Sequence, residues 1–153
     1  MGQFSRWRAR FATVVTFSPA DWWAFGESFA VLFLLQALLG LFDFPRVLAW
    51  ATRVSAAPNF GAWPADRVER LAWLVDLAGR LLRRRCLVRS LAVSRVFGRR
   101  GVVTDLRIGV QTAGGTLSAH AWVEWNGRAL NDHPDHLERF APFNRIGGDA
   151  SHG

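Results

Sequence analysis

The 153-residue chain contains one cysteine and no lysine. A single cysteine cannot form an internal disulfide, which suits a reducing compartment, so we expect a cytoplasmic protein. No small-residue cleavage site closely follows the first apolar stretch, which argues against a secretory signal peptide. Neither an internal repeat nor a linker is visible. We therefore predict a single domain over residues 1–153, with a frayed C-terminus from about residue 146, where Gly, Asp and Ser dominate.

Positive charge comes from arginine alone: 19 basic and 12 acidic side chains leave a net charge of +7. Such an excess suits a nucleic acid, an anionic membrane or an acidic peptide. However, the arginines are scattered, with one short cluster at Arg83–Arg85, and neither zinc-finger spacing nor an RNP-like motif accompanies them. We attribute the charge to a compositional preference for arginine and expect no nucleic-acid partner.

An apolar helix is predicted at about residues 18–42, where "SPAD" precedes "WWAFGESFAVLFLLQALLGLFDF". Ser18 can cap the N-terminus, Pro19 suits the first helical position, and Asp21 favours the positive end of the helix dipole. Pro45 disfavours helical geometry in the residue before it, so the helix should stop near Asp43.

The same stretch raises the question of a membrane. As a helix, Phe29–Phe42 would be about 21 Å long, whereas a bilayer core is about 30 Å thick. A longer span starting at Trp22 would include Glu27, which is costly in lipid. We therefore expect a buried or surface-lying helix that packs on the helix beginning near Asp66. Any remaining apolar face would meet a partner or a membrane surface.

The rest of the chain changes from helical to strand periodicity. Helices are predicted over Val47–Val54, from Asp66, and from about Cys86 to Phe97, with "SAAPNFGAWP" as a loop between the first two. Alternation then predicts a strand in "VVTDLRIGV", a loop in "QTAGGTLS", a strand in "AHAWVEW", a turn at "NG" and a returning strand in "RALND". Helices followed by a small antiparallel sheet indicate the α+β class.

The only thiol is predicted at the start of a helix. The free amides there favour an anion, and Arg83–Arg85 directly precede Cys86, so both effects should lower the pKa of the thiol. A lone cysteine is also often a small buried hydrophobe. His120 and Asp132 add the parts of a nucleophile, its general base and the group that orients the base.

Other polar and aromatic residues near these three have no assigned role. His133 and His136 follow Asp132 closely and could be mistaken for a metal pair, but no second ligand cluster appears, so we expect no metal. Trp122 can wall the site or simply pack in the core. The backbone amide of Cys86 is the expected oxyanion donor.

Three stretches resemble a known family: "CLVRSLAVSRVFGRRGVVTDLRIGV", "AHAWVEWNGRALND" and the apolar "SPADWWAFGESFAVLFLLQALLGLFDFPRV". Together they are similar to the transglutaminase-like cysteine protease of lasso-peptide biosynthesis, the leader-peptidase half of the B protein. The resemblance implies a papain/transglutaminase-like fold with Cys86 as nucleophile, His120 as base and then acid, and Asp132 as orienter. It implies no cofactor.

The same resemblance implies the substrate and the partners. The substrate would be a ribosomally made precursor peptide, cleaved between leader and core, after which a separate ATP-dependent lasso cyclase closes the core into a ring. Leader capture would belong to a separate recognition protein. Two alternatives stay open: transglutaminase-type acyl transfer to an amine, and a non-catalytic membrane-associated scaffold.

Two registers of the predicted hairpin differ in where they place His120 and Asp132. A two-residue "NG" turn would pair Trp125 with Arg128 and point His120 and Asp132 to opposite faces, because a shift of one residue flips every side chain. A three-residue loop with a bulge at Gly127 would instead place His120 opposite Asp132. We therefore predict the bulged hairpin.

Overall fold

A computed structural model describes residues 17–55, 63–113 and 115–146. In this part of the chain the elements are, in order, α1 (Pro19–Leu41), α2 (Phe44–Ala51), α3 (Ala65–Leu81), α4 (Cys86–Gly98), β1 (Asp105–Ala113), β2 (Thr116–Trp125), β3 (Arg128–Ala129), α5 (Pro134–Leu137) and β4 (Ala141–Ile146). The strands form one antiparallel sheet in the order β3-β2-β1-β4. The predicted α+β class, with helices before a small sheet, is confirmed.

The N-terminus of α1 is capped as the sequence predicts. The Ser18 hydroxyl accepts a hydrogen bond from the Asp21 amide, and the Asp21 carboxylate accepts one from the Ser18 amide. Asp21 also binds the Arg70 guanidinium of α3 at 2.7 Å. This ion pair docks the start of α1 on α3, and the expected packing of the two helices is confirmed.

One hydrophobic core joins the helices to one face of the sheet. Its most buried side chains include Leu32 and Leu35 of α1, Phe97 of α4, and Leu106 and Val123 of the sheet. The predicted apolar face of α3 is buried, with the members Val68, Leu71, Leu74, Val75 and Ala78. The helix that carries the only cysteine therefore lies between the other helices and the sheet.

Several predicted boundaries need correction. Helix α2 begins at Phe44 rather than Val47, because Pro45 can occupy the first turn, where a missing N–H costs nothing. The helix ends at Ala51 rather than Val54. The predicted loop "QTAGGTLS" is wrong, since β1 continues to Ala113 and β2 begins at Thr116, and these two residues pair with each other. Strand β4 and helix α5 were not predicted. Residues 56–62 of the predicted loop and the frayed segment after residue 146 lie outside the described residues.

The predicted bulged hairpin is wrong. Trp125 pairs with Arg128 across a two-residue turn in which Asn126 and Gly127 have φ values of 50° and 74°. Positive φ at both positions is what an Asn-Gly hairpin turn requires. The bulge was inferred on the premise that Asp132 lies in the strand ladder, but β3 ends at Ala129.

Candidate active site

Cys86 is the first residue of α4, and its thiol is half-buried. A hydrogen bond from the His120 side chain is the main cause that lowers the pKa of this thiol. Burial opposes the lowering, and the backbone amides of Ala121 and Leu87 add to it by hydrogen-bonding to the sulfur. The thiol is therefore stabilised as an anion at the N-terminus of a helix.

The arginines before Cys86 contribute less than the sequence suggested. The Arg84 guanidinium lies over the Phe33 ring of α1 and donates a hydrogen bond to the Gln36 side chain at 3.1 Å. The lowered thiol pKa comes instead from the imidazole and the two amides.

His120 lies on β2 with a side chain that is 14 % exposed. Its Nε2 atom hydrogen-bonds to Oδ2 of Asp132. This bond, with a smaller contribution from Cys86, raises the pKa of His120 to about 9, although burial acts in the other direction. The imidazole thus connects the thiol to the carboxylate.

Asp132 reaches His120 from outside the sheet. After β3 ends, the Leu130 amide still donates to the carbonyl of Val123 at 2.8 Å, and the chain then turns away from the ladder. Burial would raise the pKa of Asp132, but hydrogen bonds from His120 and from the His133 amide outweigh it and lower that pKa. The carboxylate is therefore held as an anion against the imidazole.

An aromatic wall surrounds the His120 imidazole. The Trp122 ring lies nearly parallel to it at 6.3 Å, and the Phe140 ring lies at 5.1 Å between centroids. Gly109 pairs with His120 across the sheet, and a Cβ there would lie 2.8 Å from Phe140 and 2.9 Å from the Trp122 ring. Trp122 is 4 % exposed, so it is packed within the protein, and its ring contact with His120 also makes it one wall of the site.

The two histidines beside Asp132 behave differently. His136 Nδ1 lies 3.2 Å from each Asp132 oxygen, whereas the His133 ring pairs with Asp135 at 3.3 Å. Ligand atoms of His120, Asp132 and His136 lie within 4.8 Å of one another, so this group can hold a metal ion. A metal there would occupy the atoms that join the imidazole to the carboxylate.

Two buried polar residues behind the site were missed at the sequence level. The Ser90 hydroxyl donates to the carbonyl of Ala121 at 2.9 Å and accepts from the Asn131 side-chain amide at 2.9 Å. The Asn131 oxygen accepts from the Val123 amide at 2.8 Å. The available signals were weak: Ser90 follows Cys86 by four residues, one helical turn, and Asn131 precedes Asp132.

The structure thus brings together Cys86, His120 and Asp132, which the sequence placed on three separate predicted elements. A thiolate, an imidazolium and a carboxylate in this order are suited to nucleophilic attack on an acyl carbon followed by proton delivery to the leaving group.

Comparison with known families supports the same chemistry at a coarser level. A family model described as the transglutaminase-like superfamily matches residues 31–145, a range that contains all three residues. No curated protein and no solved structure matches the chain. The superfamily includes cysteine peptidases and acyl transferases. With most of its length matched, the chain belongs to the transglutaminase-like superfamily.

Proposed function

We propose that this protein is a cysteine peptidase that removes the leader from a ribosomally made lasso-peptide precursor. The observation that carries the peptidase proposal is the hydrogen-bonded series from the Cys86 thiol through His120 to Asp132. The choice of a lasso precursor rests on the resemblance of the sequence stretches around Cys86 and His120.

In the first half of the reaction, the Cys86 thiolate attacks the carbonyl carbon of the bond between leader and core. The carbonyl oxygen becomes an oxyanion, for which the Cys86 amide at the helix start is the proposed donor. Collapse of the intermediate breaks the C–N bond, and His120 gives its proton to the departing core amine. The leader is left as a thioester on Cys86.

In the second half, His120 acts as a base and takes a proton from water, which attacks the thioester carbon. The C–S bond breaks and the leader leaves as a carboxylic acid that loses its proton to solvent. The proton that His120 took from water stays on the imidazole, which restores the imidazolium–thiolate pair. Asp132 stays ionised throughout and orients the imidazole.

The test is incubation of a full-length synthetic precursor with the wild-type protein, followed by mass spectrometry. We expect a leader with a free C-terminal carboxylate and a core with a new N-terminus. Cys86→Ala should abolish cleavage without unfolding the protein, and His120→Ala should lower the rate roughly 10²–10⁴-fold. Undiminished cleavage by Cys86→Ala would contradict the mechanism, whereas no cleavage by the wild-type protein would leave the scaffold alternative.

Acyl transfer to an amine is the second candidate, because the superfamily match is compatible with it. It uses the same thioester but replaces water with an amine. Adding a primary amine to the same reaction separates the two, since transfer yields an amide of the leader whereas hydrolysis yields the carboxylate.

We further propose that a separate protein presents the leader to this chain, and that a lasso cyclase takes the core afterwards. A leader held as an added strand needs an exposed sheet edge. In the resembling family the module that offers this edge is fused before the protease or is a separate chain, and the described residues before Asp105 form helices and connections rather than such a module. Joining protease and leader in one complex would raise the effective concentration of the scissile bond to roughly the millimolar range. Equal cleavage rates with and without the recognition protein would contradict this assignment.

The exposed apolar side chains of helix α1 support a further proposal, that this protein is cytoplasmic and contacts a membrane surface peripherally. By length and composition α1 can cross a membrane, and only 28 % of its most apolar window is buried within the protein. A span would carry Asp21 and Glu27 into lipid, yet both are paired with arginines of the folded body. We therefore propose that α1 lies side-on against an anionic lipid surface. Its exposed apolar side chains are Trp22, Trp23, Phe33, Leu34 and Leu41.

Sedimentation with lipid vesicles tests this contact. The protein should bind phosphatidylcholine vesicles that contain phosphatidylglycerol more strongly than pure phosphatidylcholine vesicles, because its net charge is +7. Leu34→Glu should weaken binding, whereas Leu117→Glu, at an exposed leucine of β2, should not. Equal binding of all variants, or self-association without lipid that Leu34→Glu abolishes, would overturn the proposal.

A further inference from the structure

A chain of three buried hydrogen bonds runs behind the candidate active site. Ser90 donates to the Ala121 carbonyl, Asn131 donates to Ser90, and the Val123 amide donates to Asn131, all at 2.8–2.9 Å. Ser90 is 0 % exposed and Asn131 is 5 % exposed. At such depth a polar side chain that lost its partner would carry a large desolvation cost, so the three bonds act together.

Three members of this chain of bonds each lie close in sequence to one catalytic candidate. Ser90 lies one helical turn after Cys86 on α4, Ala121 follows His120 on β2, and Asn131 precedes Asp132. We propose that Ser90 and Asn131 are positioning residues that hold helix α4, strand β2 and the segment after β3 in the one arrangement that joins thiol, imidazole and carboxylate. This inference rests on the proposed catalytic role of those three groups.

The local backbone shows why side chains are needed. Regular β2–β3 pairing covers only Glu124 and Trp125, so beyond Leu130 the segment leading to Asp132 has left the strand ladder. There the Asn131 side chain replaces the missing strand, because its oxygen accepts the hydrogen bond from the Val123 amide that a longer β3 would have accepted. Its nitrogen continues the connection to helix α4 through Ser90.

The contact between β2 and the thiol depends on the same bonds. The Ala121 amide hydrogen-bonds to the Cys86 sulfur, while the Ala121 carbonyl accepts from Ser90. Ala121 is therefore bound to α4 through both its amide and its carbonyl. A small displacement of β2 relative to α4 would weaken the bonds from both Ala121 and His120 to the thiolate.

The experiment compares Ser90→Ala with Ser94→Ala. Ser94 lies one turn further along α4, is 3 % exposed, and its hydroxyl has no hydrogen-bond partner among the described residues. Iodoacetamide labelling of the only thiol is followed from acidic to alkaline pH, with folding checked by circular dichroism. Ser90→Ala should move the midpoint of labelling to higher pH, towards that of an ordinary thiol, and slow labelling at neutral pH about tenfold. Ser94→Ala should match the wild type.

A double variant separates the loss of this bond from the presence of an unpaired side-chain amide. Ser90→Ala with Asn131→Leu removes both side chains of their shared hydrogen bond, so no unpaired Asn131 nitrogen remains, and circular dichroism checks its folding because the Val123 amide and the Ala121 carbonyl lose their side-chain partners. If the pair positions the site, labelling and cleavage stay impaired in the double variant. The proposal is overturned if Ser90→Ala labels like Ser94→Ala, or if the double variant regains the wild-type labelling profile.

Labelling needs no peptide, so it separates this inference from the proposed function. If Ser90→Ala shifts the pH profile of labelling but the wild-type protein cleaves no precursor, the positioning role is supported and the proposed substrate is contradicted.

Discussion

At the scale of single residues, the Asp132 carboxylate determines the charge state of the site. It accepts hydrogen bonds from the His120 ring and the His133 amide, and His136 lies against both of its oxygens. The pKa of His120 is raised to about 9 while that of Cys86 is lowered. Between these two pKa values the thiolate and the imidazolium exist together, which is the form that the proposed mechanism requires.

Cleavage should therefore follow a bell-shaped pH profile. Activity rises as the pH passes the lowered pKa of Cys86 and falls as His120 loses its proton near pH 9. Asp132→Asn removes the largest cause of the raised imidazole pKa, so the alkaline limb should move to lower pH. The measurement is kcat/KM against pH.

Asp135→Asn is the matched control, since the Asp135 side chain is 81 % exposed and pairs with His133 rather than with the site. Its profile should resemble that of the wild type. If the alkaline limb of Asp132→Asn lies at the same pH as that of the wild type, this carboxylate does not raise the pKa of the His120 imidazole.

At the scale of elements, the start of α1 combines a helix cap with a tertiary contact. The Ser18 hydroxyl and the Asp21 carboxylate satisfy amides at the helix end, and the same carboxylate binds Arg70 of α3. Local capping and docking on α3 therefore reinforce each other. The capping box organises the carboxylate that the guanidinium meets.

Ser18→Ala should destabilise the protein by about 1 kcal/mol, the usual cost of losing an N-cap. Urea denaturation of wild type and variant gives the free energy of unfolding for this comparison. Ser118→Ala, at an exposed serine of β2, should change it by less than about 0.5 kcal/mol. Equal stability of both variants would mean that α1 does not depend on its cap.

At the scale of the whole molecule, one side of α1 is buried in the core and the other side is exposed. Leu35 is 0 % exposed within the core cluster, whereas its neighbour Leu34 is 45 % exposed. A helix that merely anchored a separate catalytic unit would not supply buried core residues. The single domain over residues 1–153 remains a prediction.

Leu35→Ala should cost about 2–5 kcal/mol of unfolding free energy, because it removes buried methyl groups and leaves a cavity. Leu34→Ala is the matched control and should cost far less, since about half of that side chain already faces solvent. Denaturation of both variants, followed by circular dichroism, makes the comparison. Equal and small effects would indicate that α1 is detachable from the catalytic unit.

The sequence by itself determined the features that depend on neighbouring residues. Ser18 and Asp21 predicted the start of α1, apolar periodicity predicted the buried face of α3, and residue chemistry singled out Cys86 and His120. These signals are local, because capping and amphipathic spacing act within a few residues.

Tertiary structure decided how those residues meet. The Asn126–Gly127 turn formed as its dipeptide favours, and His120 still meets Asp132 because the chain leaves the ladder after Leu130. The departing segment is bonded to α4 through Asn131 and Ser90, which lies 41 residues earlier in the chain. A side-chain bond between distant segments leaves no periodic trace in a sequence, so the route to Asp132 required the fold.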